Sequence, residues 1–167
     1  MTETTRISGL ALAAALALAG CEAPAPATPP QPQVTAAYFA EDPARITEAA
    51  RAACDGPGER HVRPRPGVNQ CRLLMDPALT AAVILSYDGA VEPLPELVIS
   101  LSTARAGEGW LVTGCTFIAM AHKDSSTLRI VQNDRRIEAR LAELLAAVGG
   151  KPVREVPPEA AERCFSL

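Results

Sequence analysis

The stretch Leu97-Val-Ile-Ser-Leu-Ser-Thr103 decides the fold because apolar and polar side chains alternate along it. One face carries three apolar side chains and the other carries two serines, namely Leu97, Ile99 and Leu101 against Ser100 and Ser102. This is the pattern of an antiparallel strand with one solvated face. A turn at 106–109, an apolar segment from Trp110 to His122, a second turn at 123–126 and a further segment at 127–132 follow it. The sequence therefore predicts an antiparallel meander of three strands.

The meander is followed by an amphipathic segment that begins at Asp134 and stops at Gly149-Gly150. Its apolar residues recur at helical spacing, and they are Ile137, Leu141, Leu144, Leu145 and Val148. A stripe of this kind predicts a helix that buries one side, and the glycine pair predicts its end. We expect this C-terminal helix to lie across the apolar face of the sheet.

Two Asp-Pro pairs upstream predict helix starts, because the aspartate can cap free amides and proline fits the first helical turn. The first, Asp42-Pro43, begins a helix predicted over about 43–54. The second, Asp76-Pro77, follows a short strand at 71–75 and begins a helix ending near Gly89, although Val83-Ile84-Leu85 equally fits a strand. These elements predict an α+β fold with an antiparallel sheet of three to four strands and N- and C-terminal helices on one face.

Four of the five cysteines, Cys54, Cys71, Cys115 and Cys164, lie in the part of the chain that we expect to fold. Three pairings of four cysteines are possible. We favour Cys54 with Cys71 because that bridge closes a segment rich in proline and glycine that has few anchoring residues, which leaves Cys115 for Cys164. A zinc site is disfavoured, since no Cys-x-x-Cys pair is present and neither His61 nor His122 has ligand spacing to a cysteine. The sequence predicts no metal and no cofactor.

The N-terminus carries an apolar run from Ile7 to Gly20 that is too short to span a bilayer, because fourteen helical residues reach about 21 Å against a core of about 30 Å. It ends in Leu18-Ala19-Gly20-Cys21, which resembles the lipobox of bacterial lipoproteins. The resemblance implies cleavage before Cys21, a diacylglyceryl group on its sulfur and, usually, an acyl group such as palmitate on the new amino terminus.

The resemblance also implies a domain organisation and a location. Residues 1–20 are the expected signal peptide, 21–36 are a lipidated cysteine with a Pro/Ala-rich tether, and 37–167 are a single α+β domain. In lipoprotein sorting, aspartate after the lipidated cysteine favours the inner membrane, and this chain has Glu22 there. We therefore expect a lipid-anchored envelope protein on the periplasmic face of the outer membrane in preference to the inner membrane.

Arginines cluster between Glu59 and Arg72, where the segment carries Arg60, Arg63, Arg65 and Arg72. Their planar guanidinium groups suit phosphate and carboxylate ligands, so this loop could bind a lipid headgroup, lipopolysaccharide or peptidoglycan. The alternative is a solvated loop. The overall charge of −3 gives no reason to expect a nucleic-acid partner.

No catalytic arrangement of serine, cysteine, histidine and carboxylate is recognisable around His61 or His122. We therefore expect a non-enzymatic interaction or scaffolding module that contacts an envelope protein, with the anionic ligand at the arginine loop as the alternative. A hydrolase is a third hypothesis, and it requires a concave site rich in polar side chains. Trp110, beside the 106–109 turn, is expected to pack at the core or its rim.

Overall fold

The computed structural model describes residues 33–167. The expected signal peptide, the lipobox with Cys21 and residues 22–32 of the expected tether lie outside the described residues. Among the helices that the structure describes, none is long and apolar enough to cross a bilayer.

The described chain forms seven strands and four helices. In chain order they are β1 (Thr35–Phe39), α1 (Ala44–Ala52), β2 (Glu59–Arg65), β3 (Val68–Leu74), α2 (Pro77–Ser86), β4 (Glu96–Ala106), β5 (Gly109–Ala121), β6 (Thr127–Val131), α3 (Arg135–Ala147), β7 (Lys151–Pro152) and α4 (Pro158–Cys164). Aspartate side chains cap α2 and α3, whereas the N-cap residue of α1 is Pro43, which makes no side-chain cap hydrogen bond. The carboxylate of Asp76 accepts hydrogen bonds from the amides of Ala78 and Leu79, and that of Asp134 accepts one from the amide of Arg136.

All seven strands belong to one antiparallel sheet, ordered β2-β3-β4-β5-β1-β7, with β6 also paired to β5. Strand β5 is 13 residues long, and two strands share its outer edge. β1 pairs with its first part, from Trp110 to Gly114, and β6 pairs with its last part, from Phe117 to Ala121. The predicted meander is therefore present as β4, β5 and β6 and forms the centre of the sheet.

The sheet is wider than the three to four strands that the sequence predicted. We interpreted residues 59–72 as a loop because of their prolines, but they form most of the β2–β3 hairpin. Pro64 fits because β2 is an edge strand and its pairing is irregular between Val62 and Arg65. Thr35 and Ala36, which we placed in the tether, are the first two residues of β1.

The strand register divides the side chains of the sheet between two faces. One face, here called the open face, carries Ile99, Leu101, Val112 and Ile118, and α1, α2 and α3 pack on it. The other, here called the closed face, carries the residues Val98, Ser100, Cys115 and Phe117, and α4 packs on it. The expectation that the N- and C-terminal helices share one face is right for α1 and α3. It is wrong for α4, the last helix, because Cys164 bonds to Cys115 on the closed face.

Both predicted disulfides are present. Cys54 is bonded to Cys71 with Cα atoms 5.5 Å apart, and Cys115 is bonded to Cys164 with Cα atoms 6.1 Å apart. The first joins the end of α1 to β3 on the open face, and the second joins β5 to α4 on the closed face. The described residues thus hold a core on each side of the sheet and one covalent bridge on each side.

Candidate functional site

A large cleft lies on the open face, between α1, α3 and the underlying strands β3 and β4. Its volume is about 1180 Å³. Its lining is mainly aliphatic and aromatic, from Phe39, Ile46, Ala49, Ala50, Ala53, Leu73, Ile99, Leu101, Leu141, Leu144 and Val148. Pockets that bind small molecules usually enclose about 300–1,000 Å³ and have mostly apolar walls, so this cleft is large enough for a ligand.

The cleft exists because its two helical walls are built differently. The side of α1 that faces it contributes Ala49, Ala50 and Ala53, whose short side chains leave space above the sheet. The apolar stripe of α3 is only partly covered: Leu145 is buried, but Leu144 and Val148 remain 51% and 49% exposed. The stripe that we expected to lie against the sheet therefore forms one wall of a cavity over part of its width.

Polar side chains line the cleft in two places: Glu41, Asp42 and Arg45 around the start of α1, and Glu59 and His61 where the cleft reaches the β2 edge of the sheet. Glu59 and His61 come from β2 and line the cleft beside the Cys54–Cys71 disulfide. A carboxylate oxygen of Glu59 accepts a hydrogen bond from the amide of Gly56 at 3.1 Å and lies 4.0 Å from Sγ of Cys71. Nε2 of His61 is buried and has no hydrogen-bond partner among the described residues. A buried polar atom without a partner is costly, so a ligand that enters the cleft beside His61 and displaces the atoms covering Nε2 would gain a hydrogen bond there.

The chemistry of this polar end favours binding over covalent catalysis. The described residues that line the cleft include neither serine nor threonine, and its two cysteines are bonded to each other. Among the described lining residues, His61 therefore has no side-chain nucleophile beside it to activate. Ligand atoms of Cys54, Glu59 and Cys71 lie close enough together for a metal ion, but sulfurs joined in a disulfide cannot act as thiolate ligands.

Three of the four arginines that we singled out are already bound to neighbouring groups. Arg60 donates to both carboxylate oxygens of Glu96 at 2.7 and 2.6 Å, and this carboxylate raises the pKa of Arg60. Arg72 donates to Oε1 of Gln70 and to the same Glu96. Arg65 donates to the hydroxyl of Ser166 at 3.2 Å. These three guanidinium groups are therefore already hydrogen-bonded to other groups of the same chain.

The remaining candidates lie away from the cleft. Nδ1 of His122 is 3.0 Å from a carboxylate oxygen of Asp124 at the β5–β6 turn. Hydrogen bonds from Ser126, with a smaller effect of His122, lower the pKa of Asp124 to about 2. Trp110 is half-buried at the rim of the open-face core, and the guanidinium carbon of Arg105 lies 4.6 Å from the centre of its ring. These contacts organise turns and edges of the sheet.

The sequence did not reveal that Glu59 and His61 belong to the candidate site. A signal was available, because Glu59 and His61 are two positions apart in the sequence and therefore lie on the same face of a strand. It was missed because the segment was interpreted as a loop, in which such alternation has no meaning.

The chain matches no known family model, no curated protein and no solved structure.

Proposed function

We propose that this chain is a lipid-anchored protein of the bacterial envelope whose folded head binds an amphiphilic small molecule in the open-face cleft and does not transform it. The observation that carries the proposal is an apolar cleft of about 1180 Å³ with a buried, unpartnered imidazole nitrogen at one end. The anchor is the lipid expected on Cys21, and the expected location is the periplasmic face of the outer membrane.

The cleft combines a mainly apolar lining with charged side chains around the start of α1 and polar side chains at the edge strand β2, and this combination supports an amphiphilic ligand. Aliphatic residues such as Leu101 and Leu141 line the part that lies towards the centre of the sheet. Glu59 and His61 line the part at the edge strand β2. A molecule with an apolar body and one polar end can bury the body against α3 and hydrogen-bond through its polar end to Nε2 of His61. Burial of the apolar body removes surface from water, which supplies most of the binding free energy.

The disulfides support the proposed compartment. Disulfide bonds form and persist in oxidising compartments such as the bacterial periplasm and are rare in the cytosol. Both bridges here tie separate elements of the domain together, one on each face of the sheet. Such bridges stabilise the fold of a domain that lies outside the cytosol.

Binding can be tested with N-phenyl-1-naphthylamine, a neutral dye that becomes fluorescent in apolar surroundings. The protein is the mature chain with Cys21→Ser, which keeps every described residue and both disulfides but cannot be lipidated. Ala49→Glu introduces a carboxylate into the cleft wall from an exposed position of α1. We expect it to weaken dye binding at least tenfold, which corresponds to about 1.4 kcal/mol.

Ala52→Glu is the matched control, because Ala52 is an exposed position of the same helix that does not line the cleft. It should leave dye affinity within about twofold of the parent value. Leu144→Glu and Ala147→Glu form a second pair on α3 with the same logic, since only Leu144 lines the cleft. Equal affinities within both pairs, or no dye binding by the parent chain, would refute binding in the cleft.

The anchor has a separate test. The intact mass of the mature protein extracted from membranes should equal that of residues 21–167 plus a diacylglyceryl group and an acyl group, less four hydrogens for two disulfides. Retention of residues 1–20, or a protein with four free thiols, would overturn the proposed location while leaving the dye experiment interpretable.

A further inference from the structure

Helix α2 and the loop after it expose more apolar side chains than a solvated surface element requires. The helix contains no charged residue between Pro77 and Ser86, and its sequence is PALTAAVILS. A helix that is apolar all round is normally buried in a core or a membrane. Here Thr80 and Val83 are buried against the sheet, but the opposite side of α2 is exposed.

Five exposed apolar side chains fall within sixteen residues of α2 and the loop after it, and we call this segment the apolar ridge: Leu79, Leu85, Tyr87, Val91 and Leu94. The fractions left exposed are large, at 84% for Leu85 and 70% for Val91. Single apolar residues on a surface are ordinary, but several from one helix and the loop directly after it mark a surface that contacts something apolar. The ridge is separate from the cleft, because none of its residues line it.

The ridge also has the composition of a surface that meets a bilayer. Tyrosine is enriched where protein meets the lipid headgroups, and Tyr87 lies directly after α2. The nearby Asp88 is paired with Lys123, so its charge is offset where the loop turns away from the helix. Within the described ridge and its loop, Glu92 is then the carboxylate without an ion-pair partner.

We propose that the apolar ridge docks the domain onto the lipid surface to which the chain is anchored. This inference rests on the proposed lipid anchor. The anchor holds the domain close to a bilayer, so the ridge does not have to find the membrane from solution. Twelve residues, 22–33, separate the expected lipidated cysteine from the rest of the domain, so the chain between them is at most about 40 Å long. A domain of the size of residues 33–167 has a radius of gyration of about 14 Å, so a tether of this reach allows any side of the domain to face the lipid.

The inference predicts an orientation that a tether alone would not impose. A domain held only through the chain that joins it to the lipid would have no preferred orientation, whereas a docked domain keeps the ridge at the headgroup layer. The anchor expected on Cys21 carries two or three acyl chains, which hold a protein stably on a membrane, so the ridge would set the orientation of the domain and not its membrane affinity. The interaction is hydrophobic, so it should persist at high salt, unlike binding through arginines to anionic headgroups.

Tryptophan quenching by brominated lipid tests this orientation on the lipidated protein in phosphatidylcholine vesicles. The chain has one tryptophan, Trp110, which is first silenced by Trp110→Phe. Leu85→Trp then places a reporter on the ridge, at a position so exposed that folding should tolerate it. Glu108→Trp places a matched reporter in the β4–β5 turn, at the end of β5 opposite to the loop that follows α2.

We expect brominated lipid to quench the Leu85→Trp reporter at least twofold, with little change at 0.5 M salt, and to leave the Glu108→Trp reporter nearly unquenched. Equal quenching of the two reporters, or none, overturns the docking. If the Leu85→Trp reporter stays unquenched and the protein forms a concentration-dependent dimer through the ridge, a second copy is the occupant and the inference is wrong. A protein that fails to remain with the vesicles at all indicates instead that the proposed anchor is absent.

Discussion

The two faces of the sheet are covered to different degrees, and the better covered one is the face that the sequence predicted to be solvated: Ser100 and Ser102 are 0% and 2% exposed on the closed face. On the closed face, α4 seals the strands: Cys164 and Phe165 are buried, and the rings of Phe165 and Phe117 lie 5.7 Å apart. On the open face, α1 and α3 leave a cleft between them. Leu144 of α3 and Val148 directly after it stay half exposed. We infer that the closed face supplies most of the stability, which allows the open face to keep a cavity.

Each face carries one disulfide, and the two bridges close loops of different length. The closed-face bridge spans 49 residues and the open-face bridge spans 17. On the chain-entropy model, the longer loop stabilises the fold by about 4 kcal/mol and the shorter by about 3 kcal/mol. The bridges also differ in surroundings, because only Cys54 and Cys71 line the cleft.

Removal of each disulfide should give the largest loss of stability on its own face of the sheet. We expect Cys115→Ala/Cys164→Ala to lower the free energy of unfolding by about 4 kcal/mol, because α4 also loses its covalent hold on the closed face. Cys54→Ala/Cys71→Ala should cost about 3 kcal/mol and should change dye binding in the protein that remains folded. Urea denaturation followed by circular dichroism measures both. A larger loss of unfolding free energy in Cys54→Ala/Cys71→Ala would show that the closed face does not supply most of the stability.

Two valines allow a second test in which the chemical change is the same on both faces. Val98 is fully buried on the closed face, whereas Val148 is half exposed at the end of α3. Val98→Ala should cost about 2 kcal/mol, since it removes two buried methyl groups and leaves a cavity. Val148→Ala should stay within about 0.5 kcal/mol of the parent.

The same denaturation experiment measures both valine variants, and dye affinity adds a second measurement. Val148→Ala should weaken dye binding, because Val148 lines the cleft, whereas Val98→Ala should not while the protein is folded. Similar losses of stability from the two substitutions would contradict the inference that the closed face supplies most of the stability.

The sequence predicted the elements whose pattern is local. The alternation at 97–103 identified β4, and the stripe from Ile137 to Val148 identified α3. The disulfide pairing was also predicted correctly, because the low content of anchoring residues between Cys54 and Cys71 is visible in the chain itself. Local capping chemistry identified the starts of α1 and α2.

The elements that were missed depend on tertiary context. Strand β2 contains Pro64, which argues against a central strand, and its place at the sheet edge is not visible in the sequence. Helix α4 is seven residues long, too short for a periodic pattern. The cleft depends on how far apart α1 and α3 settle on the sheet. Helical periodicity identifies which side of α3 is apolar but not how much of that side the sheet covers.

The smallest expected effect concerns Arg129, an arginine on the closed face of the sheet. Arg129 of β6 donates to the carbonyl oxygen of Phe165 and lies over its ring, with 5.7 Å from the guanidinium carbon to the ring centre. This carbonyl is at the C-terminal end of α4, where a positive charge is favourable. Arg129→Gln should therefore lower the free energy of unfolding by about 1 kcal/mol.

Arg63→Gln is the control for Arg129→Gln, because Arg63 is exposed and no hydrogen bond from its side chain is found among the described residues. Its stability should stay within about 0.5 kcal/mol of the parent. If Arg129→Gln left stability unchanged but abolished sedimentation with anionic liposomes, the arginines would form a binding surface. The closed face would then carry a function of its own, and the division between a stabilising face and a binding face would fail.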